Sequence, residues 1–199
     1  MKIPDGQAIA GRQSAAIAGW YRAGVDVPRV DEPDPYLALV LEQCAQNFQL
    51  WNQEDQARRT DVSEAVIAGV KRAIDGLNQR RNDLIERLDE ALVAEFAATL
   101  NEGAPLNSET PGAIIDRLSI LGLKCQHMER ESRRAEAGNE HCAKCAARLA
   151  VLSQQRQDLI RCFDELLAAA RAGARRFKTY RQYKMYNDPD LNPELYKRR

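Results

Sequence analysis

From Ile67 to Ala91, apolar residues return at alternating steps of three and four: Ile67, Val70, Ile74, Leu77, Leu84, Leu88 and Ala91, with Arg81 holding one place in the series. That spacing is the seam of a long helix packed in a bundle. A half-buried strand needs alternation at every second residue, and no stretch of the chain shows it. A second seam runs through Cys142, Cys145, Leu149, Leu152, Arg156, Leu159, Phe163 and Leu166. The two seams match at a fixed offset of 75 positions, with Arg81, Asp83-Leu84-Ile85 and Asp89-Glu90 lying over Arg156, Asp158-Leu159-Ile160 and Asp164-Glu165. From 77 to 94, ten of eighteen pairs are identical. Long amphipathic helices share composition, but an arginine inside each apolar seam, followed each time by Asp-Leu-Ile, points to a duplicated helical hairpin.

The rest of the chain reads as helices between breakers. A weak, alanine-rich helix runs from Pro4 to about Ala23, with Trp20 and Tyr21 as its anchors, and a proline-rich loop spans Val25 to Pro35. A second helix runs from about Pro35 to Arg59 on the stripe Leu37, Leu41, Cys44, Phe48 and Trp51. The repeat seams belong to helices of about 63–100 and 139–173, and between them a fourth helix covers about 111–134. The fold expected is all-α: an antiparallel four-helix bundle from a duplicated hairpin, plus an N-terminal helix and an ordered basic C-terminal segment. It reads as one helical domain over 1–199, divided into 1–24, 35–100, 111–173 and 174–199.

Charge narrows the partners. Lys+Arg and Asp+Glu number 29 each, so the net charge is zero and names no polyanion. The segment 175–199 carries eight basic and three acidic residues, interleaved with aromatics, so it is +5 against −5 for the remainder. Such a tail can dock on an acidic bundle or hold a phosphate; the turn chemistry of Tyr186 to Pro193 argues against a loose nucleic-acid arm. No apolar run reaches the roughly 20 residues that span a bilayer. An odd cysteine count and an N-terminus without an apolar core predict a cytoplasmic protein.

Several polar residues stand inside apolar stripes. Arg81 and Arg156 need carboxylates or a bound anion if buried, and Asp55 and Glu129 are candidate partners. Asp83 and Asp158 fall almost opposite the arginine seams and are expected in solvent or at a second interface, not paired with the seam arginine of their own helix. The fourth helix has two occupied faces, one of which strings together Asp116, Ile120, Lys124, His127 and Glu131. His127 and Asp116 are the candidate acid–base residues; Arg81, Arg156, Lys124, Asp55 and Glu129 are the candidate ligand-binding residues. His141, Cys142 and Cys145, with Cys125 and His127, suggest zinc at first sight. Cys142 and Cys145 lie over Ile67 and Val70 in the repeat, however, so they read as core thiols and no metal ligand is assigned. No cofactor is expected. Glu86 and Asp89 form the ExxD half of the magnesium motif of all-helical nucleotide pyrophosphatases, but the second helix lacks the ExxE half; this alone leaves room for a divalent cation.

Leu50-Trp51-x-x-Glu54-Asp55-x-Ala57-Arg58, the run Ile115 to Leu121, His127-Met128, Glu140-His141 and the terminal Lys184-Met185-Tyr186-Asn187-Asp188-Pro189 together resemble the bacterial family called domain of unknown function 4254. The resemblance covers nearly the whole chain. It implies a cytosolic bacterial protein, without an established activity, working near cell-envelope glycosyltransferases. Members often carry His where this chain has Asn52, which would mirror His127; that departure argues against a symmetric two-histidine site here. Two functions are expected from the sequence: a bundle whose polar pocket takes a phosphate-bearing small molecule, such as a nucleotide or sugar nucleotide, or a non-enzymatic module that forms a homodimer or binds an envelope-synthesis glycosyltransferase.

Overall fold

The computed structural model describes residues 3–183, Met185 and residues 188–197. It is all-helical, with helix packing of a bundle. Five long helices, α1 (Gly6–Ala23), α2 (Pro35–Ala57), α3 (Glu64–Glu95), α4 (Pro111–Ser132) and α5 (Asn139–Arg171), are followed by the short α6 (Pro193–Tyr196). Lys184, Tyr186 and Asn187 of the terminal string that carries the family resemblance lie outside the described residues.

Capping fixes where helices begin. Asp5, Asp34 and Thr110 each accept a hydrogen bond from the first turn of α1, α2 and α4, and proline opens α2 and α4, where its missing N–H costs nothing. Helix α3 stops at Glu95, short of the expected position near 100. The chain turns there because Phe96 is buried against Phe177 and its carbonyl accepts from Thr99 and Leu100.

Helices α2 and α3 form one antiparallel hairpin and α4 and α5 another, and α4 touches the other four long helices. Helix α1 is more than an appendage. It packs on α2, α4 and α5, and runs parallel to α4, as Gln13 donating to the Ile115 carbonyl and Ile17 lying beside Gly122 show. The loop from Val25 to Asp34 therefore returns along the molecule, held by Glu32 to Arg12 at 2.5 Å. The main core joins the first half of α4 to the last halves of α3 and α5, around Leu88, Leu92, Ile115, Leu118 and Phe163. The first halves of α3 and α5 outrun it. Ile67, Val70, Leu149 and Leu152 are only half-buried, because a seam continued beyond its neighbours has nothing left to cover it.

Two close approaches set the register. A Cβ on Gly112 would sit 2.6 Å from the Ile85 carbonyl, and one on Gly6 would sit 3.0 Å from the Ile160 carbonyl. The Gly112 N–H donates to Asp89, and the Gly6 N–H to Asp164, both at 2.7 Å. Ile85 and Asp89 correspond to Ile160 and Asp164 at the sequence offset of 75, so α4 seats on α3 as α1 seats on α5.

The C-terminal segment docks on its own bundle as far as Gln182. The Asn107 N–H donates to the Arg176 carbonyl and the Arg176 N–H to the Pro105 carbonyl across the Leu106–Arg176 bridge, Phe177 enters the core, and Arg181 reaches Glu86 and Glu90 at 2.9 and 2.5 Å. Among the described residues no helix is long and apolar enough to cross a membrane.

Candidate functional site

The register explains the first polar site. One turn after Gly112 stands Asp116, and two turns before Asp89 stands Arg81, so the antiparallel pair brings the two together. Arg81 donates through Nε to Asp116 Oδ1 at 2.7 Å and through Nη2 to Oδ2 at 2.5 Å, a two-pronged contact. Gln43 and Asn47, four residues apart on α2, donate to the same Oδ1 at 2.5 and 2.8 Å, and Asn47 also reaches the Ser119 hydroxyl at 2.6 Å. Asp116, Gln43, Asn47 and Ser119 are all buried. Hydrogen bonding to Asp116 raises the pKa of the Arg81 guanidinium against the opposing effect of burial.

A cleft of about 420 Å³ opens above this network between α2, α3 and α4. Arg81 and Asn47 lie at its floor; Trp51, Leu50, Ile120 and Leu123 give it apolar walls; Asn78, Glu54, Asp55 and Arg58 bring polar groups to the mouth. Arg58 lies 3.2 Å from Glu54. The Arg81 contacts to Asp116 use Nε and Nη2 and leave Nη1 outside them.

The candidate residues therefore divide. Arg81, Asp116 and Asp55 belong to this cleft. His127 lies at its edge with its ring against Trp51, 5.4 Å between centroids. Lys124 is exposed on α4 and lines the neighbouring grooves toward α5. Glu129 is paired with Arg133 at 2.6 Å. Arg156 lies elsewhere: it donates to the Ser14 hydroxyl at 2.7 Å and the Ala10 carbonyl at 2.6 Å, and its buried Nε has no partner among the described residues. Burial lowers its pKa. Two expectations are thereby corrected. Asp116, not Asp55, meets Arg81. Arg156 meets neither Glu129 nor another carboxylate among the described residues, because Ala10, one turn after Gly6, stands where Asp116 stands one turn after Gly112.

The other motifs are also placed. Glu86 binds the tail through Arg181, and Asp89 caps α4, so both ends of the ExxD pattern have structural partners. His141 Nε2 lies 2.9 Å from Glu131 and 3.5 Å from the Cys145 sulfur, while the Cys142 thiol donates to the Arg134 carbonyl. Among the described residues no three such side chains are grouped to hold a metal. Cys44, wholly buried, has its thiol pushed up to about 12 by desolvation. Sequence reasoning missed Gln43, Asn47 and Asn78. The signal for the first two was their four-residue spacing beside the stripe of Leu41, Cys44 and Phe48.

Fold and cleft define the class: an all-helical bundle with a buried ionic network under an open cleft. The chain belongs to the family described as protein of unknown function (DUF4254), whose pattern matches residues 37–179. That span takes in the whole cleft and leaves out α1. No curated protein and no solved structure matches the chain.

Proposed function

We propose that the α2–α3–α4 cleft binds a small molecule carrying a phosphate and a ring, of the nucleotide or sugar-nucleotide class. The observation that carries this reading is the cost of its floor. Replacing a buried ion pair by apolar residues is commonly neutral or stabilising, so four buried polar side chains devoted to fixing one guanidinium under an open cleft are poorly explained by stability alone. Arg81 Nη1 and Arg58 would meet phosphate oxygens, the Trp51 ring would pack on the ring, and Asn78 and Asp55 would take hydroxyls. The volume lies within the ordinary range for small-molecule sites, roughly 300–1,000 Å³.

In this reading Asp116 is a positioning residue, because its oxygens already accept from three side chains. His127, held against Trp51, would respond to a bound ring rather than start a proton transfer. The equivalence of the two hairpins, extended to α1, is best accounted for by duplication, after which only the copy bearing Asp116 kept an ionic floor. Sugar nucleotides are the donors that glycosyltransferases consume, which agrees with a place in envelope polysaccharide synthesis.

The test is a thermal-shift panel of nucleotides, sugar nucleotides, sugar phosphates and inorganic phosphate. A ligand at about 100 times its Kd adds roughly 2.7 kcal/mol, on the order of 5–10 °C for a chain of this size. The shift should disappear in Asn78→Ala and Arg58→Ala, which line the cleft without entering the buried network. A shift retained by both variants, or no shift across the panel, contradicts the proposal.

A further inference from the structure

Cys142 and Cys145 stand three residues apart in the first two turns of α5, and both are free thiols. Their surroundings differ. Cys145 is buried, while Cys142 is partly exposed and its thiol donates to the Arg134 carbonyl at 3.3 Å. The repeat puts Ile67 and Val70 at the matching places of α3, so filling a seam does not call for a pair of sulfurs.

Helix geometry brings the pair into range. Residues three apart on an α-helix have Cα atoms about 5 Å apart, inside the roughly 4.4–6.8 Å span of disulfides. Their Cβ atoms, at about 5–6 Å, must close by about 1–2 Å. Tightening the turn to three residues does this, because side chains at i and i+3 then eclipse. The start of α5 suits that change. A 3-10 turn, Ala135–Ala137, already precedes it, Gly138 leads in at φ 89°, and no side chain caps the helix. The remaining cysteines are placed otherwise. Cys44 is buried on α2, Cys125 lies against Ser153, about 12 Å along α5 from Cys145, and Cys162 is about 25 Å along it.

A neighbouring histidine prepares the buried thiol. His141 Nε2 lies 3.5 Å from the Cys145 sulfur and 2.9 Å from Glu131 Oε2, which Arg134 also meets at 3.1 Å. Glu131 thus holds an imidazole proton on the nitrogen that faces the sulfur, where it is offered to a thiolate as one forms.

We propose that Cys142 and Cys145 are a reversible dithiol–disulfide couple that exchanges with low-molecular-weight disulfides of the glutathione class. The Cys142 thiolate attacks one sulfur of the disulfide RSSR, the S–S bond breaks, and the released RS⁻ takes up the proton that Cys142 lost. The Cys145 thiolate then attacks the Cys142 sulfur of the mixed disulfide, and the second RS⁻ leaves and takes up the Cys145 proton. The two cysteines are oxidised and one RSSR is reduced to two RSH. None of these residues lines the ligand cleft, so either proposal can fail without the other.

The full-length chain, equilibrated with mixtures of reduced and oxidised glutathione, quenched by acid, alkylated and mapped by mass spectrometry, tests it. As the oxidised fraction rises, Cys142 and Cys145 should lose their alkylation together, with the loss of two hydrogens, and dithiothreitol should restore both. In Cys145→Ala the reaction should stop with one glutathione on Cys142, and in Cys142→Ser the Cys145 thiol should stay reduced; circular dichroism verifies unchanged helicity. His141→Ala should prolong the mixed disulfide by at least about tenfold, the loss of one hydrogen bond to an ionised group. Thiols at 142 and 145 that alkylate fully in every mixture overturn the proposal. So does a wild type that stops at the mixed disulfide, or a Cys145 that is oxidised without Cys142. A mixed disulfide of unchanged lifetime in His141→Ala overturns the role of the histidine.

Discussion

Arg81 gives Nε and Nη2 to a carboxylate, whereas Arg156, at the matching position of its seam, gives its two terminal nitrogens to a hydroxyl and a backbone carbonyl. The two should respond oppositely to removal. Arg81→Met leaves Asp116 buried with only Gln43 and Asn47 as side-chain donors, and should cost about 3 kcal/mol. Arg156→Met removes a desolvated cation that no carboxylate among the described residues offsets, and should change stability by less than about 1 kcal/mol, in either direction. Urea unfolding of the two variants measures the difference; equal losses would contradict the assignment. The presence of arginines in both seams was legible from spacing alone. Their partners were not, because these depend on which residue of a neighbouring helix falls opposite, and that register is set by glycine contacts with a helix distant in sequence.

At the scale of the elements, the entry of α4 onto α3 depends on an absent side chain and a buried carboxylate. Gly112→Ala places a methyl 2.6 Å from the Ile85 carbonyl and 2.8 Å from an Asp89 oxygen, so α4 must move. The variant should lose about 2–3 kcal/mol, in the range of overpacked cores. Gly69→Ala, on an open face of α3, should gain about 0.5–1 kcal/mol. Thermal unfolding checks the contrast. Asp89 adds a pH signature. Burial pushes its carboxyl up to about 6, against the Thr110 and Gly112 hydrogen bonds that favour the anion. An unfolded Asp titrates near 3.9. The folded chain thus holds the proton more tightly between these values. The contribution of this group is complete below about pH 4 and is lost as pH rises through 6. The loss is on the order of 2–3 kcal/mol. Asp89→Asn should flatten the stability profile between pH 4 and 6 relative to wild type; identical slopes would contradict the burial of this group. Helix positions and the two hairpins followed from seam spacing, caps and prolines. The parallel course of α1 did not. Its alanine-rich face gives little direction; the Gln13–Ile115 bond, the Arg12–Glu32 contact and the Gly6 approach reveal where it lies.

For the whole molecule, the architecture separates two surfaces. One is the cleft over the Arg81–Asp116 floor, and the other is the groove toward α5 that Lys124 lines. Both exist because α4 is flanked by α3 and α5, which do not close over it. The second occupied face of α4 was visible in the sequence as Ile120, Lys124 and His127. The sequence implies a single pocket there, because spacing alone does not tell one broad valley from two neighbouring depressions. Isothermal titration of the ligand giving the largest thermal shift, into wild type and Arg81→Lys, tests the central claim most directly. Lysine keeps the charge and loses the planar fork. The account predicts binding weaker by at least about tenfold, near 1.4 kcal/mol, with the unfolding curve of the variant still cooperative. Equal affinity in the two proteins would contradict a phosphate held by Arg81.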